Sequence, residues 1–111
     1  MSEFAFLFRG RDLSGSPAQI QRTVEKWIAW IDGLRRSGHL HDRGNPLDDR
    51  AHTISGVHRI VNGDPYVETK DIVKGYMLIK AAGLDDAVEL SKGCPILDDG
   101  GSIEVRPVMK L

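Results

Sequence analysis

An α+β fold, with one antiparallel sheet carrying two helices on a single face, is predicted by three features of this 111-residue chain. Strand-like apolar segments stand near both ends and in the third quarter. One long stripe of apolar residues recurs at helical spacing between the first two strands. A second, shorter helical segment separates the last two strands. Helices that follow different strands of one antiparallel sheet, with no helix left for its other side, give an α+β layer pair rather than a doubly covered parallel sheet.

Residues 4–9 alternate Phe4, Phe6 and Phe8 against Ala5, Leu7 and Arg9. Both sets are largely apolar, which predicts a strand covered on both faces. A polar loop over residues 10–15 follows. Ser16 then supplies an N-cap oxygen and Pro17 a preset first helical residue. The spacing predicts a helix over 17–37, with Ile20, Val24, Trp27, Ile28, Ile31 and Leu34 on one stripe. Asp32 and Arg36 are placed for an i,i+4 ion pair, and Gly38 ends the helix. A short strand over 39–43 is broken by Gly44, Asn45 and Pro46. Residues 53–61 read as one strand, bulged at Gly56, and Asn62-Gly63 predicts a tight hairpin turn with residues 64–69 as its returning arm. The interior strand is 75–81. A helix over 84–92 carries Asp85 and Asp86 at its start, where the helix dipole favours negative charge. Leu84, Ala87, Val88 and Ser91 form its inner face, and Gly93 and Pro95 end it. A turn at 98–101 leads into a last strand, 103–108, whose Pro107 places the strand end at an edge or bulge.

This order is β-α-β-β-α-β with an inserted hairpin, the ferredoxin-like arrangement, in a single domain over residues 1–111. Two helices cover one face of the sheet only. A first strand apolar on both sides therefore predicts a second copy of the chain on the open face, a homodimer.

Composition narrows the function classes. Fifteen Lys and Arg nearly cancel sixteen Asp and Glu, which leaves no basic footprint for nucleic acid or an anionic membrane. No apolar run approaches the roughly 20 residues of a membrane span. Cys94 is the single cysteine, so no intrachain disulfide forms and a cytoplasmic location is expected. There is no phosphate-binding glycine loop, nucleophile elbow or paired-cysteine spacing, and no cofactor is called for.

Two segments carry a resemblance. Gly63-Asp64-Pro65-Tyr66-Val67-Glu68-Thr69-Lys70 is followed by Gly75-Tyr76-Met77-Leu78-Ile79, and Leu84-Asp85-Asp86-Ala87 leads to Gly93-Cys94-Pro95 and Gly101-Ser102-Ile103-Glu104-Val105-Arg106-Pro107-Val108. With Trp27-Ile28-Ala29-Trp30 and Leu34-Arg35-Arg36-Ser37-Gly38 upstream, the chain resembles the YCII-related family, in its branch marked by an Asp-Gly-Pro-Phe motif. Here that motif's first two residues are inverted and its Phe is Tyr66. The resemblance implies a dimeric α/β barrel. Some members carry a His on the first helix and an Asp before the proline after the second helix, a pair tied to dehydrohalogenation or similar lyase chemistry. Trp27 and Cys94 stand at those positions here, and an indole has no basic nitrogen to act as general base. Some relatives are joined to sigma-factor-like proteins, which implies the alternative of a non-enzymatic regulatory module linked to transcription.

The candidate residues each have two readings. His39 and His41 project to one face of a strand and offer two metal ligands, or are solvated edge histidines. Asp64, Pro65, Tyr66, Glu68 and Lys70 are a pocket lip, with Glu68 as acid or base and Tyr66 as anchor, or a charged turn. Arg9 and Arg106 pair with carboxylates, Glu104 or Glu68, or bind an anionic ligand. Trp27 is core or pocket wall. Cys94 follows a helix C-terminus, which raises a thiol's pKa, so it is a poor nucleophile. The resulting candidate pocket, for a small molecule between sheet and helices, consists of Trp27, Tyr66, Glu68, Tyr76, Cys94 and Arg106.

Overall fold

The computed structural model describes residues 1–10, 15–63 and 71–111. The elements run β1 (Ser2–Arg9), α1 (Pro17–Arg36), β2 (Leu40–Asp42), β3 (Thr53–Ser55), β4 (Ile60–Asn62), β5 (Val73–Ala81), α2 (Leu84–Ser91), a 3₁₀ turn (Pro95–Leu97) and β6 (Ser102–Pro107). Four strands form an antiparallel sheet in the order β2-β5-β1-β6, and β3 pairs with β4 apart from it. Strands β1 and β5 are central, with β2 and β6 at the edges. This is the ferredoxin-like α+β arrangement expected from the sequence, with Pro107 ending an edge strand.

Register places the phenylalanines. Phe4, Phe6 and Phe8 of β1 lie opposite Ile79, Met77 and Gly75 of β5 and opposite Pro107, Val105 and Ile103 of β6. Directly opposed residues share a face, so this set forms one apolar floor. Phe6 and Ile79 are fully buried, and Ala87 of α2 and Leu34 of α1 complete the core from above. Trp30 lies nearly parallel to the Phe6 ring, with centroids 6.1 Å apart. Its indole N–H donates to the Leu90 carbonyl at 3.1 Å, which ties α1 to α2 across the same face.

Helix α1 begins with a full capping box. The Ser16 hydroxyl accepts from the Gln19 backbone N–H, and the Gln19 side chain accepts from the Ser16 N–H. Near its end Asp32 pairs with Arg36 at 2.6 Å, as its i,i+4 spacing predicts, and also with Arg35 at 2.5 Å. These guanidinium groups hold the Asp32 carboxyl below its ordinary pKa, the Arg35 hydrogen bond being the larger cause. The stripe itself packs less completely than its periodicity suggests. Only Leu34 of α1 is fully buried, and Ile28 is 61% exposed. Likewise Ala87 and Ser91 of α2 are buried, while Leu84 and Val88 are exposed.

The sequence reading of 53–61 as one strand is corrected. The chain reverses over residues 56–59, where Gly56 has φ 70° and Arg59 φ 53°, and the Arg59 N–H donates to the Gly56 carbonyl. Glycine tolerates that left-handed geometry at no cost, and it decides where the hairpin folds. Ile54 and Val61 face each other across the resulting β3–β4 ribbon. Neither Asn62 nor Gly63 has positive φ, so no type I′ turn forms there. The proposed returning arm at 64–69 lies outside the described residues. Every residue from 54 to 61 is exposed.

The other face of the main sheet carries Ala5 and Leu7 of β1 beside Leu78 and Tyr76 of β5. Arg9, Glu104 and Arg106 border this strip. Arg9 pairs with Glu104 at 3.3 Å and Arg106 with the same carboxylate at 3.6 Å, so the two arginines take structural partners. Both helices lie on the opposite side. Among the described residues no helix is long and apolar enough to cross a membrane.

Candidate functional site

Beyond β2, Asp42 turns the chain. Its carboxylate accepts from the Gly44 N–H at 2.8 Å, an Asx-type turn, and Gly44 adopts φ 62°. The strand then resumes its path along β5. The Tyr76 N–H donates to the Asn45 carbonyl, Pro46 bridges Gly75, and the Leu47 N–H donates to the Lys74 carbonyl at 2.8 Å. Residues 43–47 thereby form a wall fixed to the sheet edge by backbone hydrogen bonds.

Between that wall, the floor and α1 lies a cavity of about 710 Å³. Phe8 and Met77 form its floor. Val24, Trp27, Ile28 and Ile31 descend from α1. Arg43, Pro46 and Leu47 stand on one side, and Ile96, Asp99 and Gly101 on the other. The incompletely buried stripe on α1 is thus a cavity wall rather than a core surface. Trp27 is held edge-on to Phe8 at 5.2 Å and to Trp30 at 5.8 Å, which fixes its ring plane.

The polar groups are few and unequal in availability. Lys74 pairs with Asp49. The Asn45 side-chain amide donates to the Tyr76 hydroxyl at 3.1 Å. The Trp30 indole N–H is taken by Leu90. By contrast, the Trp27 indole N–H and the Arg43 guanidinium have no partner among the described residues, and neither does the Asp99 carboxylate. No polar side-chain atom described as buried lacks a partner, so these free groups are reachable by solvent.

Of the residues singled out from the sequence, the structure brings Trp27 and Tyr76 to this cavity. It places Cys94 in the core, 2% exposed, and Arg106 on β6 in its ion pair with Glu104. Burial is the main cause that pushes the Cys94 thiol up to about 12, and the Asp98 charge acts in the same direction. Both causes favour the thiol over the thiolate, and the thiol is the poorer nucleophile. Asp64, Pro65, Tyr66, Glu68 and Lys70 lie outside the described residues. His39 Nδ1 donates to the Lys80 carbonyl at 2.7 Å, and His41 lies 3.4 Å from Glu3. Among the described residues no three His, Cys, Asp or Glu side chains converge as metal ligands.

Sequence reasoning missed Arg43, Leu47, Lys74 and Asp99 as cavity residues. The Gly44-Asn45-Pro46 run marks a break in β2, but its return to the sheet edge is made by backbone groups that carry no side-chain signature.

Comparison with known proteins gives a family. No curated protein matches the chain in sequence. Among solved structures it is similar to 5-chloro-2-hydroxyhydroquinone dehydrochlorinase from Burkholderia phenoliruptrix, determined in complex with 2,5-dihydroxybenzoquinone. The two are 16% identical, the match covers 96% of this chain and 95% of that one, and the TM-score is 0.49. The YCII-related domain matches residues 3–111, nearly the whole chain, and the protein therefore belongs to the YCII-related family.

Proposed function

We propose that this chain binds a small organic molecule in the cavity beneath α1. The cavity itself carries the reading: its volume of about 710 Å³ falls among small-molecule sites, and a mostly apolar wall with a few convergent polar groups is their usual make-up. Trp27 contributes its side chain directly, while Tyr76 borders the cavity at the sheet edge from a position whose side chain shares the opposite face with Leu7. Tyr66 and Glu68 enter the proposed site through the family resemblance, whereas Cys94 lies in the core and Arg106 on the far face of the sheet, and neither lines the cavity. A lyase-like step would need a general base. The described cavity wall holds no imidazole, and Asp99 is its one carboxylate, so binding stands ahead of turnover in this reading.

A neutral fluorescent probe, N-phenyl-1-naphthylamine, tests the pocket. It is expected to saturate one site on the wild-type chain, and Ile28→Trp, which places an indole at the cavity mouth, weakens that binding at least tenfold. The exposed ribbon favours a second reading, the regulatory interaction module, because Ile54, Val57, Ile60 and Val61 are each 60% exposed or more. If the probe ignores Ile28→Trp but is lost in the Ile54→Ser/Ile60→Ser double variant, the pocket reading fails and the ribbon is the binding surface.

The quaternary proposal is a homodimer. Ala5, Leu7, Tyr76 and Leu78 make an apolar strip on the sheet face opposite the helices, and a second copy covers it, as in a dimeric α/β barrel. Sedimentation at micromolar concentration is expected to give a two-chain species, and Leu7→Lys a folded single chain. A well-folded wild-type monomer under those conditions overturns the proposal. A cytoplasmic location remains part of the same proposal, on the lone cysteine of the chain.

A further inference from the structure

We infer that the ligand class is an organic monoacid: a flat apolar body on the Phe8–Met77 floor, with its carboxylate on Arg43. This rests on the pocket reading above and adds the charge and shape of the occupant. Three observations carry it. The first is the inventory of free groups. Among the described residues the wall offers one unpartnered cation, the Arg43 guanidinium, and the neutral Trp27 indole N–H, against one unpartnered carboxylate, Asp99, and the neutral amide oxygen of Asn45. A guanidinium presents its N–H groups in a planar fork that matches a carboxylate, and a charge-assisted hydrogen bond is roughly twice as strong as a neutral one.

The second observation is where the charges sit. Arg43 belongs to the wall along β5 on the β2 side, and Asp99 to the turn that feeds β6. Segment 45–47, β5, β1 and β6 lie side by side, so about three strand spacings, roughly 14 Å, separate the two sides. A ligand that engages Arg43 at one end therefore directs its other end toward a negative charge. A second carboxylate there is repelled, whereas a hydroxyl or amide N–H is accepted.

The third is the shape of the space between them. Trp27 stands edge-on to Phe8, its plane fixed by Trp30, and Ile31 lines the wall of the same helix. A floor of Phe8 and Met77 beneath the Val24, Ile28 and Ile31 side of α1 favours a planar body over a flexible chain, because a planar ligand loses little conformational freedom on entry.

Three probes with one skeleton test the class: 2-naphthylacetate, 2-(2-naphthyl)ethanol and 2-(2-naphthyl)ethylamine, titrated by calorimetry at low ionic strength. The acid is expected to bind about tenfold more tightly than the alcohol, with the amine weakest. Arg43 is exposed, so Arg43→Gln is expected to keep the fold. It brings the acid down to the level of the alcohol and leaves the alcohol within about twofold. Added salt narrows the acid–alcohol gap, as it does for an exposed charge pair. If acid and alcohol bind equally, or Arg43→Gln leaves the acid unchanged, the monoacid class is wrong while the pocket stands. If the amine binds most tightly, Asp99 rather than Arg43 sets the preference and the inference is overturned. If none of the three binds and the neutral probe is insensitive to Ile28→Trp, the pocket itself is refuted, and this inference with it.

Discussion

Phe6→Ala is expected to remove about 3–5 kcal/mol of folding stability, the range for truncating a buried aromatic side chain. Phe6 is fully buried at the centre of β1. It touches the sheet on either side, opposite Met77 and Val105, and stacks beneath Trp30 at 6.1 Å. No neighbour can close the space without breaking that register, because Trp30 is held by its hydrogen bond to Leu90. Domains of this size have about 5–15 kcal/mol in all, so the variant sits at or near the edge of folding. Chemical denaturation is the measurement. Ile54→Ala, on the exposed ribbon, is the control and is expected to change stability by less than about 0.5 kcal/mol in the isolated chain. A loss below about 1 kcal/mol for Phe6→Ala would mean that the aromatic layer is not the core.

Gly44→Ala is expected to abolish probe binding and to lower stability by at least about 2 kcal/mol, through two independent causes. At φ 62° an alanine is strained, a cost of order 1–3 kcal/mol for a non-glycine residue held in a sparse region. Space is the harder limit. A Cβ on Gly44 would lie 1.8 Å from the Tyr76 carbonyl oxygen and 2.7 Å from its carbon. Backbone atoms at those distances cannot yield as a side chain tip can, so residues 43–47 must leave β5. The Leu47 to Lys74 and Tyr76 to Asn45 hydrogen bonds go with them, and the cavity loses one wall. Gly38→Ala tests specificity. Gly38 has φ 79°, also left-handed, but nothing stands within 4 Å of its would-be Cβ. It should lose stability from backbone strain alone and keep the probe. Equal probe binding by wild type and Gly44→Ala would show that the wall at 43–47 plays no part in the site.

How much of this was legible in the sequence depends on what each element packs against. The alternation of Phe4, Phe6 and Phe8 with Ala5 and Leu7 fixes the strand, but both sets are apolar, so which face meets the helices is decided by packing rather than by the pattern. The stripe from Ile20 to Leu34 fixes the helix but not its use. Core and cavity wall demand the same side chains, and only the distance to the floor separates them. The hairpin turn went astray because Asn62-Gly63 carries the stronger two-residue signal, while the actual reversal needs the left-handed geometry of Gly56 and Arg59. The wall at 43–47 was illegible for a further reason. It is made by main-chain donors and acceptors, which every residue type supplies. Cys94 could be dismissed as a nucleophile from its place after a helix, although burial contributes more to its raised pKa than the dipole argument supposed.

The β3–β4 ribbon also bears on how the chain survives its own synthesis. Two short strands rich in Ile and Val, with neither edge paired among the described residues, form a template onto which further strands can add. Such stretches are commonly flanked by residues that discourage stacking. Here Arg50 and His52 precede the ribbon, and His58 and Arg59 sit at its tip. The Arg59 charge at the tip disfavours the in-register alignment of identical ribbons. By that physics, Arg50 and Arg59 oppose fibre-like association of newly made chains, an effect that neutralising either residue is expected to weaken.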